Sequence, residues 1–158
     1  MNHGVYVTGS LTITGDGSLE ATGSETGIFV NNGPMEVTGG SVTGTGTAGT
    51  GILAYGITVT GGSISGTGDK TSNGRGDMTV SGGGSVRGEG NYAVYVGGNI
   101  TVSDEGSSVT GIGDGQGVYA EILYVTDGSV NGSTTRTSGS AYGIFVNNGM
   151  KVEGGTVD

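Results

Sequence analysis

Apolar residues come in short bursts that alternate with polar or small ones, and the bursts recur along the chain. Gly4-Val-Tyr-Val, Gly27-Ile-Phe-Val, Gly51-Ile-Leu-Ala, Gly117-Val-Tyr-Ala and Gly143-Ile-Phe-Val are one motif, and Ala93-Val-Tyr-Val is its alanine variant. Gly4 to Gly27 is a step of 23 residues, Gly27 to Gly51 and Ala93 to Gly117 are 24 each, and Gly117 to Gly143 is 26. The step of 42 residues from Gly51 to Ala93 holds two units, the second expected to be short and to lack its opening strand. A second burst follows in every unit: Leu11-Thr-Ile, Met35-Glu-Val, Ile57-Thr-Val, Met78-Thr-Val, Ile100-Thr-Val, Leu123-Tyr-Val and Met150-Lys-Val. A third follows Ser or Thr, from Ser18-Leu19 through Ser41-Val42 to Thr156-Val157.

Alternation with a period of two is the signature of a strand with one buried face. The inward residues are mostly Val and Ile, which favour extended chain, and no helical spacing of apolar residues occurs. Glycine pairs such as Gly39-Gly40, Gly61-Gly62 and Gly154-Gly155 separate the second and third bursts, where the chain must turn. One coil of three strands cannot bury its own apolar face, so successive coils must stack. The pattern therefore predicts an all-β, single-domain parallel β-helix (β-solenoid) over residues 1–158, right-handed, with about seven coils of three short strands. Roughly four to six inward side chains per coil, each contributing about 1.5–3 kcal/mol when fully buried, would form the core. The glycines oppose this through their extra conformational entropy, so modest stability is expected. The repeat begins beside Met1 and breaks off at Thr156-Val157-Asp158, which reads as a segment of a longer repeat protein.

Composition changes the picture in three places. Glycine supplies 39 residues and proline one, a content that without a period would signify disorder. The charge is −9 with only five Lys and Arg, so the clustered cations that nucleic acid or an anionic membrane surface demands are lacking. There is no cysteine, hence no disulfide framework and no thiolate metal site. Apolar runs are far shorter than the about 20 residues of a membrane-spanning helix, and no membrane insertion is expected.

The stretch Gly27-Ile-Phe-Val through Met35-Glu-Val-Thr-Gly-Gly-Ser-Val-Thr-Gly-Thr-Gly46 resembles the repeats of bacterial secreted and surface right-handed parallel β-helix proteins. These are the carbohydrate-binding, adhesin-like β-helices of the pectate-lyase-like superfamily, and the other coils follow the same style. The resemblance implies a secreted or cell-surface location, extracellular partners and carbohydrate binding or an adhesin stalk. The Asp-rich calcium-associated stretch found in that group is missing here, so no cofactor is expected. Calcium is the one ion left to consider, at Gly15-Asp16-Gly17, Gly68-Asp69 and Gly113-Asp114-Gly115, which ordinary turn chemistry also explains.

With Val and Ile inward, the middle residue of the first burst points outward. Down the coils this gives Tyr6, Phe29, Leu53, an interruption in the fourth coil, Tyr95, Tyr119 and Phe145. The aromatic stripe Tyr6, Phe29, Tyr95, Tyr119 and Phe145 is the candidate ligand-binding site. Three readings fit it: a polysaccharide or cell-surface glycan stacked on the rings, a protein surface or self-association through the stripe or the solenoid ends, or a plain cross-strand ladder.

The second burst presents Thr12/Thr14, Thr58/Thr60, Thr79/Ser81 and Thr101/Ser103, an array reminiscent of ice-binding solenoids but broken by Glu36, Tyr124 and Lys151. Asp104 and Asp127 occupy one slot in adjacent coils, a spacing compatible with paired-acid hydrolysis or lysis of an acidic polysaccharide, although Asp is equally a corner residue. His3 is the only histidine, which argues against His-dependent catalysis. Arg75-Gly76-Asp77 spells a tripeptide read by integrins and is common by chance in so glycine-rich a chain. The sequence thus points to a non-enzymatic extracellular solenoid that binds carbohydrate or serves as an adhesin stalk, with a self-associating spacer as the alternative.

Overall fold

A computed structural model describes residues 2–158, and for residues 70–74 the backbone alone. Among the described residues the chain forms seventeen strands and no helix. The first three coils contain three strands each: β1 (His3–Thr8), β2 (Leu11–Ile13) and β3 (Ser18–Gly23), then β4 (Thr26–Asn31), β5 (Met35–Val37) and β6 (Ser41–Gly46), then β7 (Thr50–Ala54), β8 (Ile57–Thr60) and β9 (Ser63–Thr67). Beyond them lie β10 (Lys70–Gly74), β11 (Met78–Ser81), β12 (Ser85–Val96), β13 (Ile100–Val102), β14 (Ser108–Val125), β15 (Ser129–Thr134), β16 (Tyr142–Val152) and β17 (Thr156–Val157). Each strand pairs in parallel with its equivalent one coil away, as in β1 with β4 and β4 with β7. The result is a β-solenoid of seven coils.

Two features depart from the expected three short strands per coil. The fourth coil does not lack its opening strand: β10 pairs with β7 on one side and β12 on the other, placing Asn73 in register with Leu53 and Tyr95. The segment Lys70-Thr-Ser-Asn-Gly74 carries no apolar signal. Its extended course comes instead from the backbone bonding of the coils on either side. In the later coils, strands run on through corners, so β12 and β14 each join a third burst to the next coil's first.

The inward residues of the middle coils form one core, with Ile28, Met35, Val80, Ile100, Val102 and Leu123 at 0% exposure. At the first and last coils the equivalents are only partly buried, among them Val5, Leu11, Ile144 and Val146. Met150 and Val152 are 48% and 46% exposed.

Glycine shapes the cross-section at two kinds of place. At the turn before the third burst, Gly40 has φ +69°, and a Cβ there would lie 2.0 Å from the Gly17 carbonyl of the preceding coil. At the inner corner, Ala21, Gly44, Gly66, Gly88, Gly111 and Gly132 stand in one inward column. There the third strand of a coil folds back onto the opening strand of the next. A Cβ on Gly111 would lie 2.0 Å from the Gly117 carbonyl oxygen.

Candidate functional site

The stripe forms in register. Tyr6 pairs with Phe29, Phe29 with Leu53, Tyr95 with Tyr119 and Tyr119 with Phe145. Leu53 and the Asn73 slot divide it into two groups. In the later one, Tyr95 and Tyr119 stack with centroids 4.5 Å apart and planes within 11°. Tyr119 and Phe145 follow at 5.6 Å and 7°. Rings lying side by side in one plane cannot come so close, because their hydrogens would overlap. The rings therefore stand face to face along the solenoid axis, in the offset-stacked arrangement that aromatic quadrupoles favour. Both faces of Tyr119 are occupied by its neighbours, and what the stack turns to solvent is ring edges and hydroxyls.

In the earlier group, Tyr6 meets Phe29 edge to face at 5.3 Å and 75°, and the His3 imidazole lies 5.5 Å from Tyr6. Tyr6 is half exposed and its hydroxyl accepts a hydrogen bond from Asn31 Nδ2 at 2.9 Å.

Polar partners along the later group escaped the sequence reading. Glu121 Oε1 accepts from the Tyr119 hydroxyl at 3.2 Å. Its carboxylate also accepts from Asn147 Nδ2 at 3.1 Å and Asn148 Nδ2 at 2.6 Å, both in the following coil. Burial, followed by the hydrogen bond and the charge of Glu121, raises the Tyr119 phenol above its ordinary 10.0. Tyr142 packs on Phe145 at 5.2 Å and Tyr92 on Tyr95 at 6.3 Å. The signal for Glu121 and Asn147 was available: each stands two residues after a stripe aromatic, and so on the same face of its strand.

The other candidates are dispersed. Asp104 and Asp127 each bind a backbone N–H at a turn: Asp104 Oδ2 accepts from the Gly82 N–H of the preceding coil at 3.0 Å, and Asp127 Oδ1 from the Gly128 N–H at 2.8 Å. Asp104 sits at φ +72°, so it is a corner residue that holds the turn below it. Asp114 lies within β14 rather than in a turn, and pairs with Arg136 at 3.2 Å. Among the described residues no three of His, Asp or Glu gather closely enough to hold a metal ion. Arg75 and Asp77 are exposed at the bend between β10 and β11. Asp77 Oδ1 accepts from the Asn99 N–H at 2.8 Å, and a Cβ on Gly76 would meet the Tyr55 carbonyl at 2.5 Å, so packing explains that glycine.

On the second-burst face, Thr58, Thr79 and Thr101 form an uninterrupted column, ended by Glu36 on one side and by Tyr124 on the other. An open groove of about 650 Å³ runs along the corner after the third burst, lined by Thr45, Thr47, Thr67, Asp69 and Glu89 over a floor that includes Gly68. Glu89 is ion-paired with Arg87 there.

Comparison with protein-family models, curated proteins and solved structures finds no match to this chain.

Proposed function

We propose that this chain is a non-enzymatic stalk, a rigid β-solenoid rod that works outside the cell or at its surface. The observation that supports this reading is the Tyr95–Tyr119–Phe145 stack. Both faces of Tyr119 and one face each of Tyr95 and Phe145 are taken up by these contacts along the axis, so the stripe ties coil to coil. A glycan platform needs ring faces turned to solvent. The small core per coil gives such ladders weight, since each cross-strand aromatic pair adds roughly 0.2–1 kcal/mol.

Carbohydrate binding is the second reading, and one observation favours it. The groove beside Thr45, Thr67 and Asp69 follows the axis and offers hydroxyls and a carboxylate, the groups that accept and donate to sugar hydroxyls. The two readings separate in one experiment. The chain and its Tyr95→Ala/Tyr119→Ala form are assayed on a broad panel of soluble and insoluble polysaccharides, with calcium and with chelator, and their thermal unfolding is recorded. A stalk predicts a lower Tm for the double variant and no saturable binding of any glycan, at the rings or in the groove. Saturable binding to one glycan class, lost in the double variant at unchanged Tm, would overturn the stalk reading of the stripe.

A further inference from the structure

We propose that Tyr95 and Tyr119 are an oxidative cross-linking site, at which a one-electron oxidant joins the two phenol rings into a dityrosine that staples the fifth coil to the sixth. Three observations converge on this pair. The residues are direct partners in the register of β12 and β14, and their rings stack at 4.5 Å and 11°. Two phenoxyl radicals couple through orbitals perpendicular to the rings, so face-to-face approach is the productive geometry, and pre-arranged reactants gain greatly in rate. The Tyr92–Tyr95 contact is edge to face at 84° and does not offer it. On its other side Tyr119 stacks on Phe145, which has no hydroxyl and cannot form a phenoxyl radical, so a radical on Tyr119 has one phenolic neighbour with its face turned to it.

The third observation is the proton acceptor. An oxidised tyrosine must lose its phenolic proton, and Glu121 Oε1 already accepts that hydrogen at 3.2 Å. A tyrosine phenol is protonated at neutral pH, so its proton has to be given up as the ring is oxidised, and a base in contact accelerates the step.

The reaction balances with a haem peroxidase and hydrogen peroxide. Each tyrosine gives up one electron and its phenolic proton, and the peroxide takes both electrons and both protons to become water. The two radicals pair into a new bond between ring carbons ortho to the oxygens. Each ring then passes its displaced ortho hydrogen to its oxygen and becomes a phenol again, so the protein loses two hydrogen atoms in all. In a chain without cysteine this would be a covalent tie between coils that no disulfide can supply.

The test treats the dilute full chain with horseradish peroxidase and hydrogen peroxide. Dityrosine fluorescence is followed, the intact monomer is weighed, and the linked peptides are mapped after cleavage at the acidic residues between the two tyrosines, such as Asp104 and Asp114. The expected product is a monomer two hydrogens lighter, linked between residues 95 and 119. Tyr95→Phe or Tyr119→Phe, which keep the stack, should each abolish this link and lower the total dityrosine yield of the monomer about tenfold because the pre-arranged partner is gone, and Tyr55→Phe should leave the yield unchanged. Glu121→Gln should slow the coupling and make its rate climb with pH as hydroxide replaces the lost base. Links confined to other tyrosines or formed only between molecules would overturn the proposal, as would a yield indifferent to Tyr119→Phe. An unaltered rate and pH profile in Glu121→Gln would remove the carboxylate from the step.

Discussion

The inner-corner column offers the sharpest test of how this solenoid is held closed. Gly111 is buried in the fifth coil, with Gly88 and Gly132 on either side of it. The substitution Gly111→Ala places a methyl carbon 2.0 Å from the Gly117 carbonyl oxygen and 2.5 Å from its carbonyl carbon. Ordinary van der Waals contact begins near 3.4 Å, so the two arms of β14 would have to part by more than an ångström. Neither arm is free to move, because each is bonded to strands of the flanking coils. Overpacking of a tight core costs typically 1–3 kcal/mol, and an obstacle made of backbone puts this site at about 3 kcal/mol. The entropy that alanine removes from the unfolded chain returns only about 0.4–1 kcal/mol. The net loss of about 2–3 kcal/mol corresponds to a fall in Tm of roughly 4–12 °C for a chain of this size. Ala21 in the same column of the first coil is the natural control, and Ala21→Gly should shift Tm much less. Urea titration and calorimetry measure both. A Gly111→Ala protein as stable as the parent would refute the idea that this corner is set by backbone contact.

Other perturbations probe the core, the corner and the stack. Ile100 is fully buried between Met78 and Leu123, so Ile100→Ala leaves a cavity that rigid neighbouring coils cannot close, and a loss of about 2–5 kcal/mol is expected in urea unfolding. Asp104→Ala leaves the exposed Gly82 N–H to water and keeps a positive φ, and should cost about 0.5–1.5 kcal/mol, while Asp104→Asn retains an acceptor and should cost less. The Tyr119 phenol is raised in the folded state, so its contribution is complete below pH 10.0 and is lost as pH climbs through the folded value. Alkaline unfolding curves should show that loss for the parent, and Tyr119→Phe should flatten them.

Much of the fold was legible because one pattern recurs in every coil. Val and Ile at alternate positions, repeated every 20 to 27 residues, leave stacking as the way to bury them, and the outward aromatics then fall in one row. The polar face of the stack was legible only in part. Glu121 shares the face of Tyr119 by simple alternation, but its bonds to Asn147 and Asn148 cross a coil boundary and depend on the exact register. The stacking angle of the rings was not legible at all. Alternation says that a ring points outward, and the contact with the next ring decides whether it lies flat or stands on edge.

The heptapeptide Gly-Ile-Phe-Val-Asn-Asn-Gly, present at 27–33 and again at 143–149, marks the boundary between the two sources of information. Its alternation makes it an opening strand in both places, with Ile and Val inward and Phe outward. Beyond that point the copies diverge. In the second coil β4 ends at Asn31, Asn32 turns with φ +69°, and the Asn31 amide reaches the Tyr6 hydroxyl. In the last coil β16 runs on to Val152, and both asparagines bond to Glu121. A parallel strand takes half of its hydrogen bonds from each neighbour, so the coil alongside dictates its path. The period, the buried face and the number of coils were already set by alternation and repetition, because those follow from burying one side of a strand. Where strands end, how the rings stack and that Lys70-Thr-Ser-Asn-Gly74 becomes a strand come from the folded arrangement, because those depend on bonds offered by residues twenty or more positions away.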